Sequence, residues 1–299
     1  VEKSGTSMAA PHVSGAANLL LQYGLSSKGT KALMINTAED KGDPDWDPYY
    51  GWGELDLNSA YTLRDYVLDD SVTEGSYKLY KVQQILNGEK ATLVWKKHNV
   101  YAGASTPSTL YGINDLDLGL YTEIDGSLQD SSVELKDNVE QIESSEEFLD
   151  GVVKVEAYTT DFSHGLDTED YSLATQGGYT LANGPSLNIA QNVPASGEDS
   201  SEFTVSCSVE NAGDLDAHNV EATLILPAGL SITSGENPQS LGTIMDGIAD
   251  AAAWNVNGEL GEHNIYCLYD SYSYGESFTG QSDASAIIIT DDDATGPFF

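Results

Sequence analysis

"FTVSCSVEN", residues 203–211, is the stretch on which the fold turns. Phe203, Val205, Cys207 and Val209 fall on one side of an extended chain, and Thr204, Ser206 and Ser208 on the other. That period of two predicts a half-buried β-strand. "NIYCLYD" (264–270) follows the same rule with Ile265, Cys267 and Tyr269, so both cysteines of the chain point to the buried side of a strand. Towards the N-terminus, "TLANGPS" (180–186) reads as a linker. Before it, "ATLVW", "LDLGLY", "VVKVEAY" and "YSLAT" are further short strands between turn residues. In "VVKVEAY", Val153, Val155 and Ala157 face one way and Lys154 and Glu156 the other. Several such strands in close succession predict a sandwich or jelly roll.

Residues 1–68 follow a different period. From Met8 to Tyr23 the apolar residues lie all round a helix, which predicts burial inside something larger than this segment. "TKALMINTA" (30–38) predicts a second helix, with Thr30 as its cap, and "NSAYTLRDYVL" (58–68) a third. "GDPDWDPYYGWGE" (42–54), rich in Gly, Pro and aromatics, is a loop. The domain reading is a mostly helical part at 1–68, a β domain at 69–178, a linker at 179–185, a second β domain at 186–290 and a polar tail at 291–299.

Lys and Arg total 12 against 48 Asp and Glu, a net charge of −36. Phosphate binding needs the opposite sign, so nucleic acid is not an expected partner. Acidic chains often fail to collapse, yet 17 Tyr, 4 Trp and many β-branched residues argue for folded β structure. The charge then reads as solubility in a salty exterior. No apolar run approaches the roughly 18–20 residues of a membrane helix. The chain begins at Val1, without a signal peptide or an initiator methionine, and the expectation is a piece of a longer polypeptide.

"GTS" before an apolar run is, on spacing alone, a helix N-cap. The full string "GTSMAAPHVSGAANLLL" (5–21), followed by "ALMINTAED" (32–40) and "YYGWGELDLNSA" (49–60), resembles the serine motif and the end of the catalytic domain of subtilisin-like serine proteases, the subtilases. The resemblance covers roughly residues 1–65. It implies that Ser7 is the nucleophile, with its backbone N–H at a helix N-terminus facing the oxyanion. Thr6 stands in the oxyanion vicinity, and Gly5 allows close backbone approach. Pro11 lacks the N–H that would bond the Ser7 carbonyl, so the first turn is expected to be irregular. His12 is not the base. Five residues along a helix rotate it by about 500°, some 140° off the face of Ser7, and a packed, hydrogen-bonded histidine is expected. His98, His164, His218 and His263 lie in the β segments. In subtilisin, a worked case of the triad, the chain order is Asp, His, Ser. The Asp and His are therefore expected upstream, and this chain alone is expected to show no peptidase activity.

The segment Asp69–Thr175 resembles the jelly-roll domain that follows many secreted subtilases, and such domains often carry calcium. No cofactor is expected for catalysis. Asp115 and Asp117 share a strand face, with Asn114 adding an oxygen, and these three are the candidate ligands for a structural calcium ion. Asp43, Asp45, Asp47 and Glu54 echo an EF-hand loop only superficially, since Pro48 stands where Gly is needed. "SCSVENAGDLDAHNVEATLILPAGLSI" (206–232) resembles Ig-like modules of prokaryotic surface and secreted proteins. In a secreted sandwich of that kind Cys207 and Cys267 either bridge the sheets or remain two separate buried thiols.

The fold class expected is thus multidomain: the C-terminal part of an α/β subtilisin-like domain, mostly helical here, then two all-β sandwiches, jelly-roll and Ig-like. The function expected is part of a secreted, extracellular or surface-associated endopeptidase acting on proteins or peptides. Its β modules would hold it near a surface or polymer ligand. The alternative is a non-catalytic surface or binding protein with a degenerate protease domain.

Overall fold

The computed structural model describes residues 5–103, 106–110, 113–158 and 167–291. His164 and the tail residues 292–299 lie outside them. The chain gathers into two compact units, one of Val1–Thr122 with Leu128–Ala182, the other of Glu123–Ser127 with Asn183–Phe299.

The first unit opens with three helices, α1 (Thr6–Tyr23), α2 (Ser27–Asn36) and α3 (Leu57–Thr62). Eleven strands follow among the described residues: β1 (Val67–Thr73), β2 (Tyr77–Ile85), β3 (Lys90–Val94), β4 (Asn99–Gly103), β5 (Thr106–Leu110), β6 (Leu116–Thr122), β7 (Leu128–Ser132), β8 (Val139–Glu143), β9 (Phe148–Ala157), β10 (Thr168–Ala174) and β11 (Tyr179–Ala182). They form a four-stranded sheet in the order β1-β10-β3-β8, a five-stranded sheet in the order β11-β2-β9-β6-β7, and a separate β4-β5 hairpin. Inward side chains of both larger sheets, including Tyr80, Leu93, Trp95, Leu118, Val155 and Leu173, make one core.

The fold-class expectation needs correction. Strand accounts for 51% and helix for 13%, so the chain is mainly β-sheet, and no helical subtilisin-like part stands beside the β structure as a body of its own. α2 and α3 are short, and the helical core is shared: Ala32, Leu33 and Ile35 of α2 pack with Val94, Val139 and Ala174 of β3, β8 and β10. The physical reason is burial. A ten-residue helix is marginal alone and gains stability by covering an apolar face, and the face available here is a sheet. Polar contacts fasten the same joint. Ser26 caps α2 by accepting from the Gly29 N–H at 2.9 Å. The Ser26 hydroxyl donates to Asp69 Oδ1 at 2.8 Å, and Ser172 on β10 donates to the same oxygen. The cap is Ser26, not Thr30, which lies inside the helix.

α1 ends where Gly24 takes a left-handed conformation at φ 110° and donates to the Leu21 carbonyl at 3.0 Å. Its last turn is held by Tyr23, whose hydroxyl donates to Asp65 at 2.9 Å and whose ring lies 4.5 Å from the Arg64 guanidinium. Along the rest of the helix only Ala16 and Leu20 are buried, while Val13, Leu19 and Leu21 are 45%, 56% and 42% exposed.

The second unit holds β12 (Leu187–Asn192), β13 (Ser196–Glu198), β14 (Phe203–Asn211), β15 (Ala217–Ile225), β16 (Leu230–Ser234), β17 (Gln239–Ile244), β18 (Ala249–Gly258), β19 (Gly261–Ser273), β20 (Glu276–Gln281) and β21 (Ser285–Thr290). One sheet runs β12-β14-β18-β16, the other β13-β21-β19-β15-β17 with β20 also on β19. Val205, Leu224, Trp254, Ile265 and Ile287 fill the space between them, together with both cysteines.

Candidate functional site

Gly5 starts the site. Its φ of 141° is a conformation that side-chain-bearing residues rarely adopt. Its carbonyl accepts from the Met8 N–H at 2.9 Å and the Ala9 N–H at 3.2 Å, which turns the chain directly into α1. Thr6 and Ser7 are the first two helical residues, and both are exposed. The first N–H groups of a helix have no acceptor within it, and the helix dipole adds partial positive charge there. An anionic oxygen beside Ser7 would meet both. Pro11 sits inside the helix, which runs unbroken as α-helix from Thr6 to Tyr23. The irregular first turn expected from Pro11 reduces to the shared Gly5 carbonyl.

His12 bonds back to the Met8 carbonyl at 2.7 Å from Nδ1, and it is exposed, not packed. Among the described residues no hydrogen bond joins Ser7 to a histidine. His98 Nε2 bonds Glu169 Oε2 at 2.5 Å. His218 is buried between Thr243 and Tyr274, each at 3.2 Å. His263 Nε2 bonds the Glu259 carbonyl at 2.8 Å. Each of these histidines is engaged away from α1.

The loop at 42–54 uses its carboxylates to hold itself. Asp47 Oδ1 accepts from the N–H groups of Tyr49 and Tyr50 at 2.6 and 2.9 Å, and Asp47 and Gly51 exchange backbone hydrogen bonds. Glu39 and Glu54 exchange two more, at 2.9 and 2.8 Å, and Lys41 pairs with both carboxylates. Gly53 is required there, because a Cβ would stand 2.4 Å from the Glu39 carbonyl oxygen.

Asn114 and Asp115 are buried, and Asp117 is half-buried on β6. Among the described residues no group of three or more His, Cys, Asp or Glu side chains is arranged to hold a metal ion. The Asn114 side-chain amide N–H donates to the buried Glu169, and the Asn114 backbone carbonyl accepts from Trp95 Nε1 at 2.7 Å. Burial pushes the Asp117 carboxyl up to about 7, aided by the charges of Asp115 and Glu156.

Sequence reading passed over Glu140, a fully buried carboxyl on β8. It accepts from the Ser132 hydroxyl and from the Glu134 N–H at 3.1 Å. Burial nevertheless raises it to about 7, with Asp117 and Asp137 adding to the rise. Alternation in "VEQIE" was the available signal, since Glu140 shares its face with the core residue Ile142.

Cys207 on β14 and Cys267 on β19 are joined as a disulfide, with Cα atoms 6.1 Å apart. The strands belong to different sheets, so the bond crosses the core of the second unit.

Residues 1–53 match the model of the subtilase family. An extracellular serine protease of Serratia marcescens is 46% identical over 61 residues, a stretch that is 19% of this chain and 6% of that protein. The chain therefore spans a small part of the relative it matches. No helix among the described residues is long and apolar enough to cross a membrane. At its N-terminus, around Ser7, this chain carries a segment of subtilase type.

Proposed function

We propose that this chain is the serine-bearing, C-terminal part of a secreted subtilisin-like endopeptidase that hydrolyses peptide bonds through Ser7. The observation that carries the reading is the placement of Ser7 in the first turn of α1, within the stretch similar to subtilases. In such a reaction the Ser7 hydroxyl attacks the scissile carbonyl and the helix N-terminus stabilises the oxyanion. Thr6 stands beside it. A serine hydroxyl is a weak nucleophile without a base, and the four histidines among the described residues are engaged elsewhere. The chain alone is therefore inactive, and the Asp and His come from sequence upstream. The exposed apolar residues of α1, Val13, Leu19 and Leu21 among them, are what such a part would cover. The two β units are proposed to be a subtilase-type jelly roll and an Ig-like module that hold the enzyme near a substrate or surface.

A fluorophosphonate probe tests this by labelling activated serines. No label on Ser7 is expected in the chain alone. Label is expected when the chain is expressed in one polypeptide with the upstream coding sequence. Labelling of the chain alone overturns the inactivity. Absence of label in the longer form favours a non-catalytic surface protein.

A further inference from the structure

A groove of about 540 Å³ lies in the first unit between the aromatic loop at 42–54 and the segment 130–141, which runs from β7 to β8. Its walls carry Trp46 and Trp52 on one side. On the other stand Asp130, Glu134 and Asp137, and Asp45 completes four acidic residues against one cation, Lys136; Glu140 also borders the groove but is fully buried. Trp46 is 56% exposed, an unusual position for a tryptophan. The β7–β8 side is tied by hydrogen bonds. Asp130 Oδ2 accepts from the Glu143 N–H at 2.8 Å, and Glu140 is held by Ser132 and Glu134. Lys31 of α2 offsets part of the charge of Asp137.

Charge and aromatic surface together select the occupant. A cleft lined by one sign of charge focuses its field and raises the local concentration of the opposite sign. An indole face adds cation–π attraction, and a guanidinium can stack on it while its fork pairs with carboxylates. A neutral sugar would stack equally well but would leave carboxylates desolvated without counter-charge. A second copy of this chain brings a net charge of −36 and is repelled.

We propose that this groove binds an arginine-containing segment of a basic partner polypeptide. The proposal is independent of the peptidase reading, since no groove residue takes part in chemistry at Ser7.

Titration of the chain with a tetra-arginine peptide, followed by tryptophan fluorescence and calorimetry, is the test. The other two tryptophans, Trp95 and Trp254, are 1% exposed, so an emission change reports on the groove. Saturable one-to-one binding is expected. It should weaken about ten-fold or more in Trp46→Ala and in the double variant Glu134→Gln/Asp137→Asn. The matched variant Glu202→Gln/Glu210→Gln, which removes two exposed charges from the second unit, should bind as the parent does. Circular dichroism checks that all variants are folded. Equal weakening in both double variants would mean general attraction to a polyanion and overturns the site. Absence of binding overturns it too. So does salt-insensitive binding of cellohexaose lost in Trp46→Ala, or self-association lost in the same variant.

Discussion

The two β units bury titratable groups of opposite sense. The first keeps carboxyls inside: Glu140 and Asp117 are both raised to about 7, chiefly by burial. The second keeps an imidazole inside. Burial lowers His218 below its ordinary 6.5, although Asp216 and Asp125 and the Glu123 backbone pull the other way. The first unit also has no covalent tie, whereas the second is crossed by a disulfide. The two units are therefore expected to respond oppositely to acid, because each has buried a different ionisable group, and only the second is expected to respond to reductant. A carboxyl raised in the folded state binds its proton more tightly there, so its contribution is fully present below about 4.5 and is lost as pH rises to about 7. An imidazole lowered in the folded state contributes above 6.5, and that contribution is lost as pH falls through its folded value.

Reduction should separate the units most sharply. The disulfide closes a loop with a sequence separation of 60, which corresponds to about 4 kcal/mol in the chain-entropy treatment. Cys207→Ala/Cys267→Ala should lower the melting transition of the second unit by that order and leave the first unchanged in calorimetry. A gain of two hydrogens on reduction, read by mass spectrometry, checks the bond itself. Next comes Glu140→Gln. Its raised carboxyl corresponds to ~3 kcal/mol of stability lost between about pH 4.5 and 7, and the variant should flatten that slope in the first unit only. Ser26→Ala removes the α2 cap and a hydrogen bond to Asp69, with an expected cost of about 1 kcal/mol in urea unfolding of the first unit. The smallest effect is expected from His218→Gln, which should abolish the acid sensitivity of the second unit below pH 6.5 while barely changing its midpoint above it. A pH-insensitive second unit in the parent protein would break the comparison.

Much of the architecture was legible locally. Alternation in "FTVSCSVEN" and "NIYCLYD" put both cysteines inward, and both are fully buried. The same rule put Lys154 and Glu156 on the face opposite Val153 and Val155, and there Lys154 is 3% exposed, paired with Glu156 at 2.8 Å and lying 5.0 Å from the Tyr77 ring. Alternation gives the face of a strand, but not whether neighbouring side chains cover that face. β9 lies centrally between β2 and β6, so neighbours flank it on both sides. The serine motif was legible because it is a local string. The Trp46 groove was not, because its two walls come from residues 45–52 and 130–141.

By itself the sequence determined which residues alternate, that three helical segments precede the strands, and that Ser7 sits in a subtilase-like turn, although α2 starts at Ser27 and α3 ends at Thr62, short of the predicted 68. Those properties depend on neighbours within a few positions, through dihedral preference and side-chain periodicity. Tertiary structure alone decided that α2 rests on a sheet, that Cys207 meets Cys267, that Glu140 lies dry beside Ser132, and that two tryptophans share a groove with four solvent-accessible acids. These rest on strand order and on desolvation, and both arise only when distant segments are brought together and water is excluded.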